Sequence, residues 1–273
     1  RLPDDRSYMF QNADGRVIFA IPYETDYLMI GTTDNDDVSL EESPQITDAE
    51  IEYLCEVASD YLRDPVTPQD VVWHFSGVRP LFDDGADEAT EATRDYVITQ
   101  DQPTDGKLIN IFGGKITTYR KLAEEVLTLV DRAAKKKTEK WTAHAALPGG
   151  DFPAMHFDQL VTKAATDFPF VEPVLLARLA RLYGTHLWLM LADCENAQDL
   201  GQHFGASLYQ VEVDFLAREE WARRAEDIVF RRTKLGLRMQ AEEIDALQAY
   251  LDQTPVVQGI PGFATDLNSA QMS

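Results

Sequence analysis

The chain is predicted to be an α+β protein, strand-rich at first and helical afterwards. Three observations predict this. Short runs of β-branched and aromatic residues, separated by turn signals, extend to Phe112. The composition shifts near Lys135-Lys136-Lys137. Beyond Leu147-Pro148-Gly149-Gly150 the apolar residues recur at helical spacing and the strand signal disappears.

Arg16-Val17-Ile18-Phe19-Ala20-Ile21 is rich in β-formers and follows Asp14-Gly15, a hairpin-type turn signal. Tyr27-Leu28-Met29-Ile30 comes after a short connection, so the two strands are expected to be antiparallel. Thr47-Asp48-Ala49-Glu50 has the form of a capping box, and Ile51, Leu54, Cys55, Ala58 and Leu62 continue it at helical spacing. Pro65 ends that helix. Val71-Val72-Trp73-His74-Phe75 reads as a strand closed by Ser76-Gly77, and residues 83–90 read as an acidic loop. Residues 96–99 and 108–112 read as two more strands across a polar turn, and a helix is expected from Thr118. Residues 175–183, 212–217, 219–232 and 241–251 read as amphipathic helices, and the tail after Gln253 as loose.

Composition narrows the function. Apolar residues make up 44% of the 273, enough for a real core. No run reaches the roughly 18 apolar residues that a membrane helix needs. The formal net charge of -22 argues against a nucleic-acid surface, which needs a basic stripe. That charge also repels anions, so an anionic substrate would require a local cluster of fixed cations. Cys55 is expected to be a buried core thiol, and Cys194 has no CxxC partner; two lone cysteines fit a reducing cytoplasm. The five histidines show no HxxxH or HxH spacing, so no metal is expected. The four tryptophans are scattered and are expected in the core. The opening Arg1-Leu2-Pro3-Asp4-Asp5, without an initiator Met or an apolar leader, suggests a piece of a longer protein.

Three strings carry chemistry. In Phe112-Gly113-Gly114-Lys115-Ile116-Thr117-Thr118-Tyr119-Arg120 a strand runs through two glycines into a helix start. Such a junction exposes N–H groups and a positive dipole end, beside the charge of Lys115. It is no P-loop, because position 109 is Ile where that motif needs Gly. A tight turn with a helix cap is the plainer reading. In Ser76-Gly77-Val78-Arg79-Pro80-Leu81, Arg79 suits phosphate through its planar fork, or else pairs with Asp83 or Asp84. In Thr93-Arg94-Asp95-Tyr96 the plainer reading is a solvated Arg94–Asp95 pair. No GxGxxG fingerprint occurs in these 273 residues.

Together SGVRPL, TRDY and FGGKITTYRKLAE resemble the FAD-dependent glycerol-3-phosphate dehydrogenases of the aerobic, quinone-linked kind. The LPGG string, Tyr183-Gly184, Asp199-Leu200-Gly201 with Phe204-Gly205, and residues 220–227 are similar to that family's helical carboxyl-terminal domain. The likeness runs from about Asp14 to Tyr250. It implies that residues 1–98 are part of a β-rich substrate domain and residues 99–144 a returning strand-helix piece of a Rossmann-like FAD domain. Residues 145–273 would then form an all-helical carboxyl-terminal domain. It implies FAD as cofactor, glycerol 3-phosphate as substrate, dihydroxyacetone phosphate as product, and the quinone pool as electron acceptor. By this likeness Arg79 and Arg94 hold the substrate and Lys115 lies by flavin and substrate. Gly113, Gly114, Thr117 and Thr118 would line the flavin. It further implies a cytoplasmic protein or one peripheral to the inner membrane, and a homodimer. Two alternatives stand beside it: an oxidase passing electrons to oxygen, and a free-standing interaction module built on the helical half.

Overall fold

A three-stranded antiparallel sheet opens the chain, built from β1 (Tyr8–Gln11), β2 (Val17–Tyr23) and β3 (Tyr27–Gly31) in that order. The computed structural model describes residues 5–12, 15–34, 44–78, 80–82, 93–101 and 108–254. Its chain divides into two units, Arg1–Ala145 and Ala146–Ser273.

In the first unit, β2 alternates as a half-buried strand should. Ile18 and Ala20 face inward and Phe19 faces out. Register pairs Phe10 with Ile18 and Ala20 with Ile30. Across the inward face lies α1 (Asp48–Tyr61), which contributes Cys55, Val57 and Ala58 to a small core. The capping box read from the sequence is present. The Glu50 amide donates to Thr47 Oγ1 at 3.3 Å, and the Thr47 amide donates back to Glu50 Oε2 at 2.9 Å. Thr33 donates a further bond to the same carboxylate at 2.7 Å. That bond, followed by those from Thr47, holds the Glu50 carboxyl below its usual range. Residues 71–75, expected as a strand, form none. All but the half-buried Trp73 lie exposed, and Trp73 stacks on Phe75 at 5.2 Å.

A hairpin follows, β4 (Val97–Asp101) against β5 (Leu108–Phe112), with Val97 opposite Phe112. Its β4 spans the division expected between residues 98 and 99. After Gly113-Gly114-Lys115 the chain makes a 3-10 turn, Ile116–Thr118, and enters α2 (Tyr119–Ala134). The apolar side of α2 (Leu122, Val126, Leu127 and Val130) lines a shallow groove with Ile111 and Tyr119, and no residue of α2 is buried.

The second unit has the larger core. Its helices are α3 (Phe157–Asp167), α4 (Pro173–Tyr183), the short α5 (His186–Met190), α6 (Gln210–Glu219) and α7 (Ala241–Gln253). They close around Leu176, Leu179, Leu187, Leu191, Phe215, Leu216, Ile228 and Leu247. The unit is not wholly helical: β6 (His203–Gly205) and β7 (Leu208–Tyr209) form a two-stranded hairpin. Nor is 219–232 one helix. Trp221 takes a left-handed φ of 58°, the chain turns, and a π-helical stretch, Asp227–Arg232, follows. Trp221 and Trp141 are exposed, not core residues. Cys55 is buried as expected. No helix among the described residues is long and apolar enough to cross a membrane.

Glycines explain the strings of this unit. Gly149 (φ 75°) and Gly184 (φ 56°) bring two backbones into contact, and the Thr185 amide donates to the Gly149 carbonyl at 2.9 Å. A Cβ on Gly184 would lie 1.9 Å from the Gly149 oxygen, and one on Gly149 would lie 2.3 Å from the Tyr183 oxygen. Neither obstacle is a movable side chain. Gly184→Ala is therefore expected to cost about 3 kcal/mol or more, from steric displacement added to left-handed strain. Urea unfolding followed by far-ultraviolet circular dichroism checks this, and a loss below about 0.5 kcal/mol, the size of an ordinary surface change, would contradict the close approach.

Candidate active-site segment

The FGGK turn gathers the other two strings around itself. Gly113 has φ 64° and Gly114 has φ 95°, both in the region that favours glycine. A Cβ on Gly113 would lie 3.3 Å from the Pro80 carbonyl oxygen and 3.6 Å from both the Asp95 carbonyl oxygen and the Phe82 nitrogen. A Cβ on Gly114 would lie 2.9 Å from Tyr96 Cβ. Phe82 packs on Phe112 at 5.5 Å between ring centres. So the segments around 80–82, 95–96 and 112–115, distant in sequence, meet at one point. The space left by each glycine is taken by the chain's own backbone or by Tyr96. That gives both glycines a packing role the sequence alone did not disclose.

Lys115 projects from this turn, exposed, with its Nζ 3.9 Å from Asp95 Oδ1. The expected Arg94–Asp95 pair is thus replaced by a Lys115–Asp95 pair. Arg94 is exposed one residue before Asp95. Arg79 lies outside the described residues, as do Asp83 and Asp84; its neighbour Pro80 sits against Gly113. Thr117 is exposed, and Thr118 is half-buried and donates to the Lys115 carbonyl at 2.8 Å. Interaction with the Glu125 carboxylate on α2, then burial and the charges of Glu125 and Asp95, raise the Tyr96 phenol above its ordinary value.

The turn suits an electron-rich ligand edge. No side chain caps the 3-10 turn or α2, and neither has an acidic residue in its first turn. The positive end of a 16-residue helix is therefore left open beside a lysine. This donor set of amides and one cation fits the polar edge of FAD. Gly113, Gly114, Lys115, Thr117 and Thr118 are the residues that would hold it. Among the described residues no group of three His, Cys, Asp or Glu could hold a metal ion.

Sequence reasoning missed two partners. Tyr96 and Phe82 fasten the three strings together, and only TRDY hinted at the first. In the helical unit, Glu212 is buried on α6 and accepts both Arg178 guanidinium nitrogens, at 2.7 and 2.6 Å, and the Tyr183 hydroxyl at 2.7 Å. A glutamate within an apolar helical face was the available signal.

The chain matches two family models. One, described as FAD dependent oxidoreductase, covers residues 1–120. The other, the C-terminal domain of alpha-glycerophosphate oxidase, covers residues 140–254. The chain is 39% identical over 248 residues to a glycerol-3-phosphate dehydrogenase of Pseudomonas aeruginosa, covering 90% of this chain and 48% of that protein. It is 38% identical over 251 residues to the D-erythritol 1-phosphate dehydrogenase of Brucella abortus, covering 92% and 50%. It is 35% identical over 247 residues to the aerobic glycerol-3-phosphate dehydrogenase of Escherichia coli, covering 90% and 49%. The chain spans about half the length of these curated relatives.

Proposed function

From the premise that this chain belongs to the FAD-dependent glycerol-3-phosphate dehydrogenase family, we propose that it supplies the phosphate-binding side of a site oxidising glycerol 3-phosphate to dihydroxyacetone phosphate. The observation that carries the reading is the meeting of the SGVRPL, TRDY and FGGK segments at Gly113 and Gly114. Three cations, Arg79, Arg94 and Lys115, belong to those segments in a chain of net charge -22. A local cationic cluster of this kind is what an anionic substrate needs against a repulsive global field.

Arg79 and Arg94 bind the phosphate, Arg through paired, charge-assisted hydrogen bonds. Lys115 orients the substrate beside the open helix end. Gly113, Gly114, Thr117 and Thr118 present the turn to the cofactor. When bound, FAD supplies the acceptor for the hydride that leaves C2 of the substrate. Quinone is the proposed electron acceptor, the protein being cytoplasmic or peripheral on the cytoplasmic face of the inner membrane, and a homodimer is the proposed assembly.

A second reading concerns the substrate's length. The erythritol phosphate relative is as similar to this chain as the glycerol phosphate one. The test compares kcat/KM for glycerol 3-phosphate and a four-carbon polyol phosphate, using flavin-loaded protein that carries this whole chain. We expect the three-carbon substrate to be preferred at least about tenfold, a difference of roughly 1.4 kcal/mol. Preference for the longer polyol would favour the second reading, and no turnover of either would overturn both. Comparing a soluble quinone with oxygen as acceptor, with peroxide as the readout, separates dehydrogenase from oxidase.

A further inference from the structure

The acid that faces Lys115 is out of place in a site for an anion. Asp95 adds negative charge where the proposed substrate brings its own, yet its position is closely determined. Its amide donates to Thr93 Oγ1 at 3.3 Å. Its carbonyl oxygen lies against Gly113, and the next residue, Tyr96, is pressed against Gly114. The backbone thereby holds the carboxylate within 3.9 Å of Lys115 Nζ. The side chains are 80% and 56% exposed, so both ends of the pair remain open to a ligand.

We infer that Asp95 is a resident competitor for the substrate's phosphate, a carboxylate that engages Lys115 until an anion displaces it and so sets how tightly the site binds. This rests on the reading of Lys115 as part of the phosphate-binding cluster. An exposed pair at this distance is weak and screened by water. A phosphate monoester carries between about 1.5 and 2 negative charges at neutral pH, against one for the carboxylate. It therefore takes Lys115 readily but loses some of its attraction in displacing Asp95. Asp95 is a positioning residue in this scheme and acts only through Lys115.

The test uses flavin-loaded protein carrying the whole chain. Asp95→Asn is expected to lower KM for glycerol 3-phosphate by about two- to fivefold, with kcat moving less than KM. Calorimetric titration with inorganic phosphate should show Kd tightening by a similar factor. Asp95→Glu should return both values toward wild type, and in a Lys115→Ala background the gain from Asp95→Asn should vanish. A merely structural aspartate would weaken binding when changed, not strengthen it. An unchanged or raised KM and phosphate Kd in Asp95→Asn, while Lys115→Ala still weakens binding, overturns this inference and leaves the site intact. If Lys115→Ala leaves phosphate binding at the wild-type level, the reading of the site and the inference fall together.

Discussion

Glu212→Ala is expected to destabilise the helical unit by about 3–5 kcal/mol, the cost of leaving a buried charge unpaired. Glu212 is 1% exposed and is gripped by the fork of Arg178 with nitrogen–oxygen distances of 2.7 and 2.6 Å. Arg178 also donates from Nε to Ser207 Oγ at 2.9 Å and from Nη2 to the Ser207 carbonyl at 2.7 Å. Tyr183 donates its hydroxyl to the same carboxylate, and burial, followed by the charge and hydrogen bond of Glu212, pushes that phenol far above its ordinary value. Among the described residues no buried side-chain nitrogen or oxygen lacks a partner. Removing Glu212 would take away the phenol's acceptor and the guanidinium's carboxylate partner together. Tyr183→Phe removes one hydrogen bond and should cost only about 1 kcal/mol. Replacing Arg178 and Glu212 together by apolar residues of similar volume should cost much less than Glu212→Ala alone. Amide exchange in α4 and α6 reads these differences. Equal losses for the single and the paired replacement would mean that packing, and not charge, holds the two helices.

Arg79→Ala should raise KM for glycerol 3-phosphate by roughly 30- to 1,000-fold, corresponding to about 2–4 kcal/mol for a lost charge-assisted contact. The residues just after it are well placed for such a role. Pro80 lies against Gly113 and Phe82 against Phe112, so the string carrying Arg79 is tied to the turn carrying Lys115. Arg79→Lys should recover only part of the loss, because an ammonium cannot make the paired bonds of a planar fork. Steady-state kinetics on the flavin-loaded protein decide the matter, and wild-type KM in Arg79→Ala would return Arg79 to the structural ion pairs.

Much of the local structure was legible because it rests on contacts within a few residues. Thr47 and Glu50 announced the start of α1, and the apolar spacing of Leu175, Leu176 and Leu179 announced α4. The run at 71–75 misled, since β-branched residues report a preference for strand while a strand also requires hydrogen-bonding partners. The run at 219–232 misled for the opposite reason. Helical periodicity continues through it, but Trp221 breaks the helix in a left-handed conformation where Gly is the usual residue.

The sequence by itself determined the strand-to-helix order and the family, through strings such as SGVRPL and FGGK. Only the tertiary structure decided which residues those strings touch. It placed Tyr96 against Gly114, paired Asp95 with Lys115 at 3.9 Å, and closed Arg178 on Glu212 across 34 residues. The reason is physical. Periodicity and caps are set by neighbours along the chain, whereas a glycine that yields its space to a distant carbonyl, or a glutamate that finds its arginine, depends on which backbones come within contact distance after folding.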